Sequence, residues 1–410
     1  MNWLTSPAHV RWLEYETDRL LDFARAAVDP SGGFGWLRDD GTRDPDKPTE
    51  LWITARMTHV FALGALMGRP GCAALVDHGV AALSGRFVDE AYGGWFSAMG
   101  AQAPANDAKE AYSHAFVILA AASATVAGRP GAAQLLDDAL ATFEEHFWDD
   151  GVGMARDLFG RNWKTEEEYR GLNANMHAVE AFLAAADAIA APKWLTRALR
   201  IIERAVDGYA RQADWRLPEH YDADWAPDRD YNKDRPAHAF RPYGTTIGHS
   251  FEWARLTVQA AASREQGGMA AADWMIPAAR SLYSTAVREG WQADGEPGFV
   301  YTIDYDARPV VRERMHWVTA EAIGAAAALY RRTRQEEYAD HYRRWWEYAG
   351  AHHIDHVGGS WFHELGPDQH VSRTVWDGKP DVYHALQATL IPRVPPSPAL
   401  ASSLAAGNLA

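Results

Sequence analysis

Apolar residues recur at helical spacing along almost the whole chain, in two alternating kinds of segment. In the first kind only one face is apolar; over residues 6–28, for example, Val10, Leu13 and Leu20 lie on one stripe and charged residues fill the rest. The second kind is apolar on nearly every side, as in residues 115–122. A one-sided helix belongs on the outside of an assembly and an all-apolar helix in its interior.

This pair of helices repeats six times, at intervals of roughly 60–75 residues, which is the scale of a repeated architecture. The outer helices are predicted over residues 6–28, 71–87, 131–147, 194–211, 273–290 and 335–351. The inner helices begin near Glu50, Glu110, Leu172, Gly248, His316 and Asp381. Loops rich in glycine and aromatic residues, such as 33–37 and 358–362, join the two kinds and predict short β-hairpin-like turns.

Six outer and six inner helices in alternation predict an all-α fold, an (α/α)6 barrel of six helical hairpins. An open superhelix of helix pairs is the competing architecture, but it would require polar terminal caps, and the last inner helix has none. We therefore expect residues 1–394 to form one barrel domain that carries the function. Residues 395–410 are rich in Pro, Ser and Ala and lack a folding pattern, so we expect a disordered tail.

Composition excludes several classes of function. The 410 residues carry a net charge of −15 and no Lys/Arg-rich run, which argues against nucleic-acid and anionic-membrane partners. Cys72 is the single cysteine, so neither an intramolecular disulfide nor a cysteine-built zinc site can form. Neither a signal peptide nor a transmembrane span is apparent, and we expect a soluble cytoplasmic protein. The 18 Trp, 16 Tyr and 14 Phe residues include many in the loops, where aromatic faces can bind sugars.

Polar side chains stand at the start of every inner helix. Parallel inner helices would bring these starts together at one mouth, which the glycine and aromatic loops also surround. His249 and Glu252 are three positions apart and therefore share a helix face, and the helix dipole favours a neutral, proton-accepting His249. The full set is Trp52, Arg56, Tyr112, His114, Asn173, His177, His249, Glu252, Trp317, Glu321, His384 and Gln387. Buried ionisable groups are costly unless they are paired or functional. Because all six inner helices contribute polar groups to this mouth, the set indicates a functional site.

The residue types leave three chemistries open. Glu252 and Glu321 could be the carboxylate pair of a glycosidase. A metal site built from His249, His384, Glu252 and Glu321 is a second possibility, although no short His-x-x-x-His pair concentrates ligands on one helix. Histidine titrates near neutrality, so the histidine-rich mouth favours the third chemistry, proton abstraction and return, over hydrolysis.

Three motifs resemble the N-acylglucosamine 2-epimerase superfamily: Asn173-x-x-x-His177-x-x-Glu180-Ala181, Gly248-His249-x-x-Glu252 and Tyr383-His384. The resemblance extends over about residues 5–393. Residues 248–256 and 381–387 are most similar to the branch that contains mannose isomerases and sulfoquinovose isomerases. The resemblance implies cofactor-independent proton transfer on a reducing sugar through an enediol(ate).

The resemblance also implies roles for the residues at the mouth. His384 would move the proton between C2 and C1, and His249, oriented by Glu252, would assist ring opening and proton return; the two histidines could exchange roles. His177 with Glu321 would bind hydroxyl groups or support the site from behind, and Arg56 would stabilise the enediolate oxygen. The sugar would be positioned by Trp52, Tyr112, Asn173, Trp317 and Gln387, and by Arg241, which lies just before the His249 helix.

We therefore expect an aldose–ketose isomerase whose partner is a monosaccharide, most simply one that converts D-mannose to D-fructose, and D-lyxose to D-xylulose as a side reaction. A sugar 2-epimerase and a sulfoquinovose isomerase are the alternatives within the superfamily. An (α/α)6 glycoside hydrolase or lyase and a non-catalytic sugar-binding protein are more distant ones. The sequence does not fix the oligomeric state.

Overall fold

A computed structural model describes residues 2–409. Thirteen α-helices dominate this range. They are α1 (Pro7–Ala24), α2 (Leu51–Leu66), α3 (Cys72–Leu83), α4 (Ala111–Val126), α5 (Ala132–Thr142), α6 (Leu172–Ala188), α7 (Pro192–Ile202), α8 (Ile247–Gln266), α9 (Met275–Gly290), α10 (His316–Thr333), α11 (Glu336–Tyr348), α12 (Tyr383–Leu390) and α13 (Leu400–Ala405). Helices α5, α7 and α11 continue as π-helical turns over Phe143–Phe147, Glu203–Ala210 and Ala349–His353.

The even-numbered helices from α2 to α12 form a closed inner ring. Each packs against the next, and α12 packs against α2 to complete the circle. The odd-numbered helices from α1 to α11 form the outer layer, in which α1 covers α12, the last inner helix. A hydrogen bond of 2.8 Å between the Thr17 and Thr389 hydroxyls joins α1 to α12 there. The predicted (α/α)6 barrel is confirmed.

The amino-acid pattern explains where the inner helices lie and where they stop. In α2 and α4 all but the last two residues are buried, apart from Tyr112 near the start of α4, as expected for segments that are apolar all round. Both helices end at the repeated Gly-Arg-Pro sequence. Gly68 and Gly128 adopt φ values of +73° and +66°, a left-handed conformation that glycine tolerates without a steric penalty.

Short antiparallel strands lie at the N-terminal ends of the inner helices. They are β1 (Thr49–Glu50), β2 (Ala98–Met99), β3 (Pro104–Asn106), β4 (Lys109–Glu110), β5 (Trp148–Asp149), β6 (Met154–Ala155), β7 (Leu158–Phe159), β8 (Arg170–Gly171), β9 (His220–Tyr221), β10 (Thr245–Thr246), β11 (Thr302–Ile303), β12 (Arg314–Met315) and β13 (Glu364–Leu365). The sheets are β1–β2–β3, β4–β7, β5–β6, β8–β9, β10–β11 and β12–β13. Strands β1, β4, β8, β10 and β12 each run directly into an inner helix, so the strands surround one end of the barrel.

The first residue of each of these five helices donates its backbone N–H to the loop that follows along the chain. The accepting carbonyls belong to Ser97, Asp157, Glu219, Tyr301 and His363, each of which directly precedes a strand. Because the same hydrogen bond recurs, the five residues with the accepting carbonyls occupy equivalent places around the barrel mouth. This repeat brings loop side chains as well as helix side chains to the mouth.

The C-terminal segment differs from its expectation. The composition of residues 395–410 predicts a disordered tail, but Leu400–Ala405 form α13, which packs against α2, α4 and α6 at the far end of the barrel. Leu400, Ala401 and Leu404 are buried there. The inner helices leave apolar surface at that end, and the short helix α13 covers it. The Pro/Ser/Ala-rich composition of the segment gives no sign of this helix. Across residues 2–409, no helix combines the length and apolar content needed to cross a membrane.

Candidate active site

A cavity of about 650 Å³, including its open mouth, lies at the N-terminal ends of the inner helices. Nine side chains predicted from the sequence line it: Trp52, Arg56, Tyr112, Asn173, His177, His249, Glu252, Trp317 and His384. They come from all six inner helices, and most stand in the first two helical turns. The helix starts therefore converge as predicted.

Two imidazoles in this cavity are anchored in the same way. Nδ1 of His249 lies 3.0 Å from Oε2 of Glu219, and Nδ1 of His384 lies 2.9 Å from Oε1 of Glu321. A carboxylate accepts the Nδ1–H hydrogen, so Nε2 of each ring is left free to act on a bound molecule. The ring centroid of Trp317 is 5.2 Å from that of His249 and 5.6 Å from that of His384. The two histidines therefore flank one indole in one cavity.

Gly248 allows this close arrangement. A Cβ atom at position 248 would lie 2.2 Å from the Trp317 ring, which real contacts do not permit. The glycine before His249 thus lets the indole approach the start of α8.

Three glutamates and one arginine form a buried charge cluster behind the cavity. The Arg255 guanidinium lies 2.9 Å from Glu321, 3.4 Å from Glu252 and 3.9 Å from Glu180. Although burial opposes ionisation of Glu321, Arg255 and His384 together hold the pKa of its carboxyl well below the usual range. Burial and the Glu321 charge raise the pKa of Glu252 well above its usual range. The cluster therefore favours ionisation of Glu321 and disfavours that of Glu252, whose Oε2 has no hydrogen-bond partner within residues 2–409.

His177 lies beside Glu252, with its Nδ1 3.8 Å from Glu252 Oε1. The ring also contacts Phe116 and Tyr112, at centroid distances of 4.5 and 5.2 Å. Burial, reinforced by the Arg56 charge, lowers the pKa of His177 well below its usual value. A neutral His177 can hydrogen-bond to a hydroxyl group without adding charge.

Arg56 supplies a fixed positive charge to the cavity wall. Its guanidinium donates to Asp381 at 3.2 Å and to the Tyr112 hydroxyl at 2.8 Å. It also lies 4.3 Å from the Phe116 ring centroid. Burial raises the pKa of the Tyr112 phenol to about 12, so the phenol stays protonated near neutral pH. Arg56 is therefore positioned to stabilise a developing negative charge.

Four predicted residues do not line the cavity. His114 lies outside it, where its Nε2 accepts the backbone N–H of Trp95 at 3.2 Å. Glu321 lies behind His384. Gln387 donates to Glu180 at 2.9 Å and so supports the charge cluster. Arg241 binds both carboxylate oxygens of Glu167 at 2.8 Å and lines a neighbouring cavity, so the expectation that it reaches the same pocket is wrong for this conformation.

One predicted pairing is also corrected. His249 is held by Glu219 rather than by Glu252, and Glu321 holds His384. Residues three apart on a helix share a face, but the loop carboxylate of Glu219 reaches Nδ1 instead. The partner of each histidine thus comes from another segment of the chain.

Comparison with known proteins is consistent with this geometry. A model of the N-acylglucosamine 2-epimerase (GlcNAc 2-epimerase) family matches residues 32–388. The chain belongs to this family. A D-mannose isomerase of Thermobifida fusca is 51% identical over 405 residues, 98% of each chain. A D-mannose isomerase of Pseudomonas cannabina pv. alisalensis is 49% identical over 404 residues, 98% of this chain and 97% of that one. A crystal structure of D-mannose isomerase matches with a TM-score of 0.87 at 30% identity, over 94% of this chain and 98% of that one.

Two sets of side chains in this member of the N-acylglucosamine 2-epimerase family have the donor atoms for a metal ion. In each set the donor atoms lie within 4.8 Å of one another; the sets are His177, Glu180 and Glu252, and Glu252, Glu321 and His384. Arg255 contacts all three of these glutamates. A divalent cation would have to compete with this guanidinium, so the cluster is better suited to an arginine than to a metal.

Sequence reasoning missed several residues at the site. Glu219 and His363 stand at the repeated loop position before a strand, and Phe240 and Trp376 add aromatic wall to the cavity. The loops differ in length between repeats, so no fixed spacing reveals this position. Asp381 was visible in the motif with His384, but its contact with Arg56 spans 325 positions and leaves no local signal.

Proposed function

We propose that this protein is an aldose–ketose isomerase that converts D-mannose to D-fructose, and D-lyxose to D-xylulose as a second reaction. The observation that carries the proposal is the pair of carboxylate-anchored imidazoles, His249 and His384, on either side of Trp317 in one sugar-sized cavity. The similarity to D-mannose isomerases over nearly the whole chain supports the choice of sugar.

The reaction requires a base that takes a proton from C2 of the open-chain aldose. We assign this step to Nε2 of His384, because Glu321 holds its Nδ1–H and stabilises the imidazolium that forms. The C2–H electrons form the C1–C2 double bond, and the aldehyde oxygen becomes the enediolate oxygen. Return of the proton to C1, with transfer of the O2 proton to the enediolate oxygen at C1, gives the ketose. Burial lowers the pKa of His384, which keeps the base neutral before substrate binds.

Ring opening requires a second proton-transfer group. We assign it to His249, which takes the anomeric hydroxyl proton and returns a proton to the ring oxygen. Glu219 fixes its tautomer in the same way as Glu321 fixes that of His384. Arg56 stabilises the enediolate oxygen, since its charge is fixed before the reaction begins.

The remaining lining residues position the sugar. Trp52 and Trp317 provide aromatic faces for the C–H bonds of the sugar, while Tyr112, Asn173 and His177 supply polar atoms. Asn173 Oδ1 is buried and has no hydrogen-bond partner among the described residues, so a sugar hydroxyl can satisfy it.

A neutral sugar fits this cavity better than a sulfonated one. A sulfonate requires several cationic or donor groups. Arg56 is the one arginine or lysine that lines the cavity in the described part of the chain, and Asp381 already pairs with it. This supports mannose over sulfoquinovose as the substrate.

The product formed from D-mannose in deuterium oxide tests the proposal. We expect fructose as the main product, with deuterium at C1, by proton and carbon NMR. Glucose as the main product would make the protein a 2-epimerase, and the absence of both products would overturn the proposal.

His249→Ala and His384→Ala should each abolish turnover while the thermal midpoint changes little. Activity that is lost on dialysis against EDTA and restored by a divalent cation would instead favour the metal site.

A further inference from the structure

Two further histidines line the cavity and have no place in the reaction described above. His316 is the first residue of α10, and His363 directly precedes β13. Their rings are stacked, with centroids 3.8 Å apart and planes inclined by 26°. Both side chains are buried.

Backbone carbonyls fix the tautomer of each ring. Nδ1 of His316 lies 3.3 Å from the His363 carbonyl oxygen, and Nε2 of His363 lies 3.0 Å from the Asp381 carbonyl oxygen. A carbonyl only accepts, so each of these nitrogens carries the hydrogen. Nε2 of His316 and Nδ1 of His363 are therefore left as lone-pair acceptors.

Both of these ring nitrogens stay unprotonated near neutral pH and can therefore only accept a hydrogen bond. Burial lowers the pKa of His363 to about 4 and that of His316 well below its usual value, and the neighbouring histidines add to the effect at His316. Nε2 of His316 is buried and has no hydrogen-bond partner among residues 2–409. A buried polar atom without a partner is costly, and in a binding cavity it marks a place for a ligand donor.

We propose that the His316–His363 pair is a specificity determinant that accepts hydrogen bonds from sugar hydroxyl groups. The pair selects a carbon that carries a free hydroxyl over the corresponding deoxy carbon or methyl ether, because neither of those has a hydrogen to donate. The inference rests on the proposed function, since it concerns how the same cavity orients its monosaccharide. It assigns the pair a positioning role, separate from the proton transfers of His249 and His384.

His316→Phe is the cleanest test of the pair. Phenylalanine keeps a ring to stack on His363 but removes the acceptor, and the His363 carbonyl still receives the backbone N–H of His316 at 3.0 Å. We expect KM for D-mannose to rise about tenfold, the equivalent of one hydrogen bond, with kcat within threefold. His316→Gln, whose amide oxygen can replace Nε2, should recover most of the affinity.

Deoxy and O-methyl derivatives of D-mannose at C3, C4 and C6 identify the hydroxyl. At one carbon, wild type should discriminate against both derivatives about tenfold in kcat/KM, and His316→Phe should lose this discrimination. His353→Phe is the matched control: this buried histidine contacts Thr319 at 3.2 Å and does not line the cavity. It should leave KM and the discrimination unchanged.

Binding of 1,5-anhydro-D-mannitol, which cannot open its ring, separates this inference from the proposed function. Calorimetry should show weaker binding to folded His316→Phe than to wild type, whether or not the protein isomerises mannose. If wild type isomerises mannose but His316→Phe keeps wild-type KM, binding and discrimination, the inference is overturned while the function stands. If both His316 variants lose the fold, as judged by circular dichroism, the pair is structural and the inference is also overturned.

Discussion

Glu219 binds His249 and the start of its helix at once. One carboxylate oxygen lies 3.0 Å from Nδ1 of His249, and the other accepts the backbone N–H of Thr246 at 3.3 Å. Thr246 directly precedes α8, so the negative charge of the Glu219 carboxylate lies at the positive end of the helix dipole. A loop residue 30 positions away therefore fixes both the ring and the helix that carries it.

Replacing this carboxylate is expected to disable His249. In Glu219→Gln the amide can donate to Nδ1, which moves the ring hydrogen to Nε2 and removes the free base. We expect kcat for D-mannose to fall about 100-fold, the lower range of general acid–base effects. Glu289→Gln is the matched control, since Glu289 is a buried glutamate that binds Arg216 outside the cavity. If both variants lose kcat equally, Glu219 has no special role.

Arg255 is expected to contribute strongly to stability. It is buried and contacts Glu180, Glu252 and the ionised Glu321, so Arg255→Met leaves the cluster without its positive charge. Breaking such a cluster costs about 3–5 kcal/mol, which denaturant unfolding can measure. Arg129→Met removes a partly exposed ion pair with Asp77 and should cost under about 1 kcal/mol. Equal losses in the two variants would contradict the central role of Arg255.

The sequence predicts the helix-borne part of the site well and the loop-borne part poorly. Helical periodicity identifies the inner helices, and the predicted barrel brings their starts together, so His249, His384 and Arg56 could be assigned to one mouth. Glu219 and His363 lie on loops of unequal length, where no period relates one repeat to the next. Their positions follow from a backbone hydrogen bond that only the folded barrel reveals.

Pairings between side chains were harder to predict than positions. Glu252 and His249 are adjacent on one helix face, yet Glu252 lies beside His177 and the Arg255 cluster, and His249 turns to Glu219. Small differences in side-chain direction decide between such neighbours, and sequence spacing does not encode them.

The buried His59 is expected to make stability depend on pH. Burial lowers its folded pKa to about 4, although the nearby Glu180 opposes this effect. In the unfolded chain the pKa of this histidine is about 6.5. The stability contributed by the neutral, buried His59 is therefore lost as the pH falls from 6.5 towards 4. Relative to His59→Phe, wild type should lose about 1.4 kcal/mol of unfolding free energy per pH unit over this window.

Denaturant titrations of wild type and His59→Phe at pH 7.5, 6.0 and 5.0 measure this difference. The loss of the 2.7 Å contact between His59 and Ser123 shifts the variant by a constant amount, so only the slope with pH reports the titration. Parallel curves for the two proteins would contradict a depressed pKa at His59.

The C-terminal helix is expected to stabilise the barrel by closing its far end. Leu400 and Leu404 are buried against the inner helices, and the Ala399 backbone donates to Asp187 at 2.7 Å. Burial of a leucine contributes about 1.5–3 kcal/mol, so deletion of residues 395–410 should cost several kcal/mol and lower the Tm. A disordered tail would instead leave the Tm unchanged on deletion.

Two point variants separate packing from chain length. Leu404→Ala should reproduce much of the loss in Tm, whereas Ser402→Ala, on a less buried face of α13, should not.

The deletion should also lower kcat, because the small cavity beneath α13 is lined by Glu180, which holds Gln387 and Tyr383 behind the active site. Water that enters there would screen the charges that set the pKa values of Glu252 and Glu321. A deletion variant that loses stability but keeps full kcat would show that α13 acts on the fold alone.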